Sequence, residues 1–161
     1  MITAENLLAM YARNLMFIHE KTAGFSQADS LLQPPVAGNC TNWTVGHITV
    51  YRNRILELLG EAPTCDPTVA ARYVRDSAPV LGDEPGLGQL ADLLAALDAA
   101  QERMGPALRA LTAEQAAETV GTGQLVMSRA EMLLFLLRHE ASHTGQLDLL
   151  YELAQAQRVT A

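Results

Sequence analysis

Apolar residues recur at helical spacing along most of this chain, and almost nowhere do they alternate as in a strand. The first such run covers Thr3 to about Lys21, with Leu7, Leu8, Met10, Tyr11, Leu15, Ile18 and Thr22 close to helical spacing. Thr3 can cap its start, because a hydroxyl there accepts an amide N–H left open in the first turn, and Gly24 supplies a stop. A second helix opens near Thr41 or Asn42 and runs through Leu59 to Gly60. Trp43, His47, Val50, Tyr51, Arg54, Ile55 and Leu58 recur on one side of it. The third covers about Leu87 to Leu111, with an interruption or kink expected near Gly105 and Pro106, since proline lacks the amide N–H a helix interior uses. The last begins with a capping box, Ser128 and Glu131, and continues to about Ala156.

The segments between them are short on pattern. Phe25 to Cys40 holds Pro34, Pro35 and Gly38 and reads as a connector, with one helical turn near Asp29 to Leu32. Glu61 to Pro85 carries four prolines and is the longest stretch without periodicity, with room for a short helix around Thr68 to Asp76. Thr112 to Ala117 allows another turn. Gly121 and Gly123 among β-formers indicate an exposed loop or a small hairpin. Four long amphipathic helices without convincing strands predict an all-α four-helix bundle. The link between the second and third helices, about 25 residues where bundle loops usually have 2–8, predicts a crossover from one end to the other and one parallel neighbour pair. A loop that long is also compatible with a functional insertion.

Composition narrows the class. A chain of 161 residues with 49% hydrophobic content suits one buried domain over 1–161 and is too short for two. Net charge is -7, with 11 Lys and Arg and no basic run, which argues against nucleic acid as a partner. Cys40 and Cys65 could make one bridge at most, and reduced thiols in a cytoplasm are the expectation. The N-terminal MITAENLLAMYARN lacks the charged start and apolar core of a signal peptide, and no uncharged apolar run approaches the ~18 residues of a membrane span.

The chemistry concentrates in RHEASHTGQ, residues 138–146. His139, Glu140 and His143 spell H-E-x-x-H, the pattern of zinc peptidases. The third ligand such enzymes need is missing: the positions where a metzincin has its Gly and third His hold Gln146 and Leu149, and Glu152 lies on the same helix. Histidines four residues apart share a helical face and can reach one ion. Leu133, Leu136, Leu137, Leu147 and Leu150 flank them, so that face points inward, where bare histidines need partners. His47 is the better third ligand, on one side of the second helix with Trp43 and Tyr51, and Gly46 beside it would let another helix come close. A lone histidine at such a position is more often a satisfied core histidine than a ligand. His19 lies among Glu20, Lys21 and Gly24 at an exposed helix end and is left out of the set.

His47 in a Trp-containing second helix, then His139, His143, Gly145, Gln146 and Leu147 in the last, resembles the DinB/YfiT-like family of metalloenzymes across essentially the whole chain. The combination carries the resemblance; no single motif does. It implies a four-helix bundle, a divalent metal at His47, His139 and His143, often nickel or zinc in relatives, and frequent homodimers. Members include transferases and isomerases that use bacillithiol, mycothiol or glutathione, so a low-molecular-weight thiol is the expected partner. Iron or manganese would suit the same ligands.

A neutral three-His set leaves the +2 charge of the ion uncompensated, so an incoming thiol is readily held as thiolate. The expected activity is metal-dependent thiol S-transfer. The same site could activate water, with Glu140 as base, although its ~100° rotation from His139 equally fits a solvated helix face. Tyr51 and Arg54 could orient an anionic substrate or simply line the bundle, and Gln146 could donate to a ligand from behind. Cys40, just before a helix start, is either a thiol of lowered pKa or an ordinary buried side chain. A non-catalytic, stress-related metal-binding module and a bundle whose histidines only support packing remain open beside these.

Overall fold

The computed structural model describes residues 3–123 and 125–160. In chain order the elements are α1 (Ala4–Thr22), α2 (Gln27–Ser30), α3 (Thr41–Leu58), α4 (Pro67–Ala70) with a 3-10 turn at Ala71–Tyr73, α5 (Leu90–Ala110), α6 (Ala113–Ala117), β1 (Thr119–Thr122), β2 (Leu125–Ser128) and α7 (Arg129–Thr160). The architecture is all-α apart from one antiparallel hairpin, in which Thr119 pairs with Ser128 and Thr122 with Leu125.

Local chemistry explains the boundaries. The Thr3 hydroxyl accepts the Asn6 N–H at 3.2 Å, and Asn6 Oδ1 accepts the Thr3 N–H at 3.2 Å. At the head of α7, Ser128 and Glu131 do the same: Glu131 Oε2 accepts the Ser128 N–H at 2.8 Å, and Ser128 Oγ accepts the Glu131 N–H at 3.3 Å. Such caps contribute about 1 kcal/mol each. Gly24 takes φ 72° just past the end of α1, a left-handed turn that favours glycine. The interruption expected at Pro106 is not found. That proline and Glu102 four residues earlier are both exposed, so the carbonyl it leaves unpaired can turn to water.

The four long helices pack in a ring, with α1 and α3 each lying against both α5 and α7. Helices α3 and α5 run parallel, as the long link predicts. Asn42 donates to the Gly88 carbonyl at 3.0 Å, Thr49 to that of Leu93 at 3.4 Å and Arg52 to Gln101 Oε1 at 2.6 Å, so partners ascend together. Against α7 the order reverses, with Leu58 meeting Arg129 and His47 meeting His139.

Two apolar cores fill the interior. Leu7, Tyr11, Ile55, Leu56, Met104 and Leu133 anchor one end, and Ile18, Val45, Ile48, Leu93, Leu97 and Leu147 the other. A polar layer lies between them at Asn14, Arg52, Gln101 and Glu140, one residue from each long helix. Met10, placed by its spacing on the inner face of α1, is 53% exposed.

Candidate metal centre

Helix α3 carries His47 inward, and the i,i+4 spacing on α7 stacks His139 and His143 opposite it. The Nε2 of His139 lies 3.4 Å from that of His47 and 3.3 Å from that of His143. Nitrogens bound at ~2.0–2.1 Å in a tetrahedral arrangement are separated by about 3.3 Å, so this spacing fits one zinc-sized ion. The three ligand atoms all fall within 4.8 Å of one another.

Hydrogen bonds behind the rings fix what they present. His47 Nδ1 is 2.7 Å from the Tyr73 carbonyl, which can only accept, so Nδ1 carries the proton and Nε2 a lone pair. His143 Nδ1 donates to Gln146 Oε1 at 2.8 Å, with the same result. His139 Nδ1 is buried with no partner among the described residues. With both neighbours bare at Nε2, a proton on His139 Nε2 could serve only one of them at a time, whereas a cation would engage all three. Burial lowers the pKa of His47; the Tyr73 carbonyl opposes this and nearby His143 adds to it. His139 is pushed down to about 4, first by burial, then by His143, His47 and Arg138. Both rings are therefore neutral, the ligating form, at ordinary pH.

Aromatic side chains frame the cluster. Trp43 stacks on His47 with ring centres 4.5 Å apart and planes 15° apart, and its indole N–H donates to Ser77 Oγ at 3.1 Å. Tyr51 lies 4.7 Å from His47 and 4.2 Å from His139. Together with Phe135, Leu125 and the 75–77 loop they line a cavity of about 510 Å³ that opens onto the three imidazoles.

Gly46 does admit a close neighbour, though not a helix. The ring of Tyr73, from the crossover between α3 and α5, sits where a Cβ would fall within 2.6 Å of three of its atoms. Tyr73 is fully buried. Its hydroxyl donates to Asn42 Oδ1 at 2.8 Å and accepts the Gly88 N–H at 2.9 Å. Burial pushes its pKa up to about 12, so it stays a neutral phenol able to serve both partners.

Other expected residues move. Glu140 is 1% exposed and takes no part in the cavity; it binds Arg52 through two bonds of 2.7 Å and accepts from Asn14 at 3.0 Å. Its rotation from His139 points it into the interior, away from the cavity lining and from solvent. Arg54 lies outside the cavity lining as well, half exposed and paired with Glu57 at 2.7 Å. Tyr51 lines the cavity, and Gln146 stands behind His143 as acceptor, where a donor was expected. His19 pairs with Asp98 at 2.7 Å on the exterior. Cys40 is buried at the N-cap of α3, and desolvation raises its pKa, outweighing the backbone hydrogen bonds that lower it. Both cysteines are free thiols.

Arg52, Tyr73 and Ser77 went unread in the sequence. Arg52 looks like any surface charge in a helix, and Tyr73 and Ser77 lie in the aperiodic crossover. Gly46 was the one pointer to Tyr73.

A helical ring with a three-imidazole cluster between its second and last long helices defines a class of protein. The chain belongs to the DinB superfamily, whose family model matches residues 10–147. A conserved protein from Enterococcus faecalis, known from a crystal structure, is similar with a TM-score of 0.73 over 97% of this chain and 99% of that one. At 15% identity that likeness shows the fold alone. No curated protein matches the chain. Among the described residues, no helix is long and apolar enough to cross a membrane.

Proposed function

We propose that this chain is a DinB-like four-helix bundle that holds one divalent metal ion on Nε2 of His47, His139 and His143 and catalyses thiol S-transfer. The observation that carries the reading is the convergence of three Nε2 atoms, two of them stripped of protons by acceptors behind the ring. Nickel or zinc suits an all-imidazole set, and carboxylate-preferring ions suit it less.

A metal on neutral ligands keeps its full charge and lowers the pKa of a thiol that reaches it. That thiol has to come from outside the chain, because neither Cys40 nor Cys65 lines the cavity. A low-molecular-weight thiol is the natural cosubstrate. Trp43, Tyr51 and Phe135 would pack the electrophile, with Arg75 at the rim facing any acidic group it carries. Hydrolysis fits less well, since the base it called on is committed to Arg52.

Metal content tests the first half. Untagged protein should carry about one metal ion per chain, and His47→Ala and His143→Ala should each abolish it. Turnover of a thiol with a model electrophile, proportional to metal loading, tests the second half. Metal without turnover across a thiol panel would leave a binding module, and no metal even after reconstitution would sink both halves.

A further inference from the structure

The crossover between α3 and α5 grips the two stacked rings of the site from behind. The Tyr73 carbonyl takes the Nδ1 proton of His47 at 2.7 Å, and four residues on, Ser77 Oγ takes the indole proton of Trp43 at 3.1 Å. A backbone carbonyl in a connector is only as well placed as the segment bearing it, and this one is held from three sides. The Tyr73 ring fills the niche left by Gly46, its hydroxyl donates to Asn42 from α3, and the same hydroxyl receives the N–H of Gly88 just before α5. The phenol thus ties the turn at Ala71–Tyr73 to both helices of the parallel pair.

We propose that Tyr73 is a positioning residue of the metal centre: its clamped ring and hydroxyl hold its own carbonyl on His47, fixing the tautomer and direction in which that imidazole offers Nε2. The proposal rests on the reading of the three histidines as a metal site for its consequence, but its structural core, the tautomer of His47, exists without metal. Because the acceptor is main chain, no side-chain replacement deletes it. The clamp is what can be tested. Partners behind a ligating histidine characteristically matter at the level of roughly ten- to a hundred-fold in metal affinity.

The experiment compares wild type, Tyr73→Phe and Gly46→Ala. Zn²⁺ affinity is measured by chelator competition, and the tautomer of His47 by long-range ¹H–¹⁵N NMR of the metal-free protein at pH 8. Tyr73→Phe keeps the ring and removes both hydroxyl bonds. It should fold, bind one Zn²⁺ roughly ten- to a hundred-fold more weakly, and show His47 as a mixture of tautomers where wild type is protonated at Nδ1 alone. Gly46→Ala should have a larger effect, and if it fails to fold, Tyr73→Phe still decides. Wild-type affinity together with an unchanged Nδ1–H tautomer in Tyr73→Phe would overturn the proposal and leave Tyr73 a packing residue. Absence of Zn²⁺ binding in wild type would defeat the metal reading instead, and the tautomer would still support or overturn the role of Tyr73.

Discussion

Two polar clusters share the interior of this molecule, one residue apart on α7, and they are built on opposite principles. In the first, Arg52 and Glu140 are 0% and 2% exposed in their side chains and satisfy each other through paired bonds. Every remaining direction is also filled: Gln101 and the Tyr11 carbonyl accept from Arg52, Asn14 donates to Glu140, and the guanidinium lies over the Tyr11 ring at 4.8 Å. In the second, three imidazoles turn their Nε2 atoms toward one another, two of them bare, and one ring nitrogen behind them has no partner among the described residues. A closed network of donors and acceptors needs nothing further and holds structure. A convergence of acceptors is incomplete by itself and calls for a cation. The same stretch of α7 thus separates scaffold from site by about 100° of rotation.

The largest effect expected follows from breaking the closed cluster. Glu140→Ala or Arg52→Ala should lower stability by about 3–5 kcal/mol, because each strands a buried charge across all four long helices. Replacing both partners together with apolar residues of similar volume should recover much of that loss. Denaturant unfolding of the two single variants and the double variant measures it. A Glu140→Ala protein as stable as wild type yet catalytically dead would erase the comparison and return Glu140 to the site.

The second effect comes from completing the open cluster. Zn²⁺ at 100 times its Kd should stabilise the protein by about 2.7 kcal/mol by mass action. His139→Ala should abolish that gain while leaving the metal-free protein within about 1 kcal/mol of wild type, since it also removes an unpartnered nitrogen. Acid should act on this cluster in the opposite sense. Unfolded, His47 and His139 take protons near their ordinary pKa of about 6.5. In the folded protein both resist, His139 down to about 4. The unfolded state therefore binds more protons across that window, so stability conferred by these two groups is present above about pH 6.5 and is lost as pH falls toward 4. Unfolding of metal-free protein from pH 8 to 4 reads this, and His139→Ala should flatten the dependence.

The comparison also explains what could be read from the chain. Helical periodicity located all four long helices, because apolar faces such as Leu7, Tyr11, Leu15 and Ile18 repeat with the turn of the helix. The Ser128–Glu131 box gave the start of α7, and the length of the crossover gave the parallel pair. Two histidines spaced i,i+4 share a face wherever that helix packs, so that part of the cluster was local and legible. The scaffold pair was not. Arg52 and Glu140 are 88 positions apart, and nothing local marks a charged residue as buried when its counter-charge lies on another helix. Arg54, further along the same side of α3 as His47, lies outside the cavity beside Glu57, one turn closer to solvent. Tyr73 was hidden for a related reason: a connector without period leaves no pattern to read, even where its backbone holds the Nδ1 proton of His47.

The smallest effect sharpens the boundary between the clusters at Gln146. Its amide oxygen holds the Nδ1 proton of His143 just as the Tyr73 carbonyl holds that of His47, but Gln146 is exposed and free to exchange its bond for water. Gln146→Ala should therefore weaken Zn²⁺ binding by about tenfold, the low end for a residue behind a ligating histidine, and leave stability of the metal-free protein within about 0.5 kcal/mol. Arg54→Ala should change neither quantity, which makes it the control for surface substitution near the site. Chelator competition on the two variants separates them. Equal affinity in both would mean that water replaces Gln146 without loss, and the orientation of the site would then depend on the buried side alone, through Tyr73 and His47.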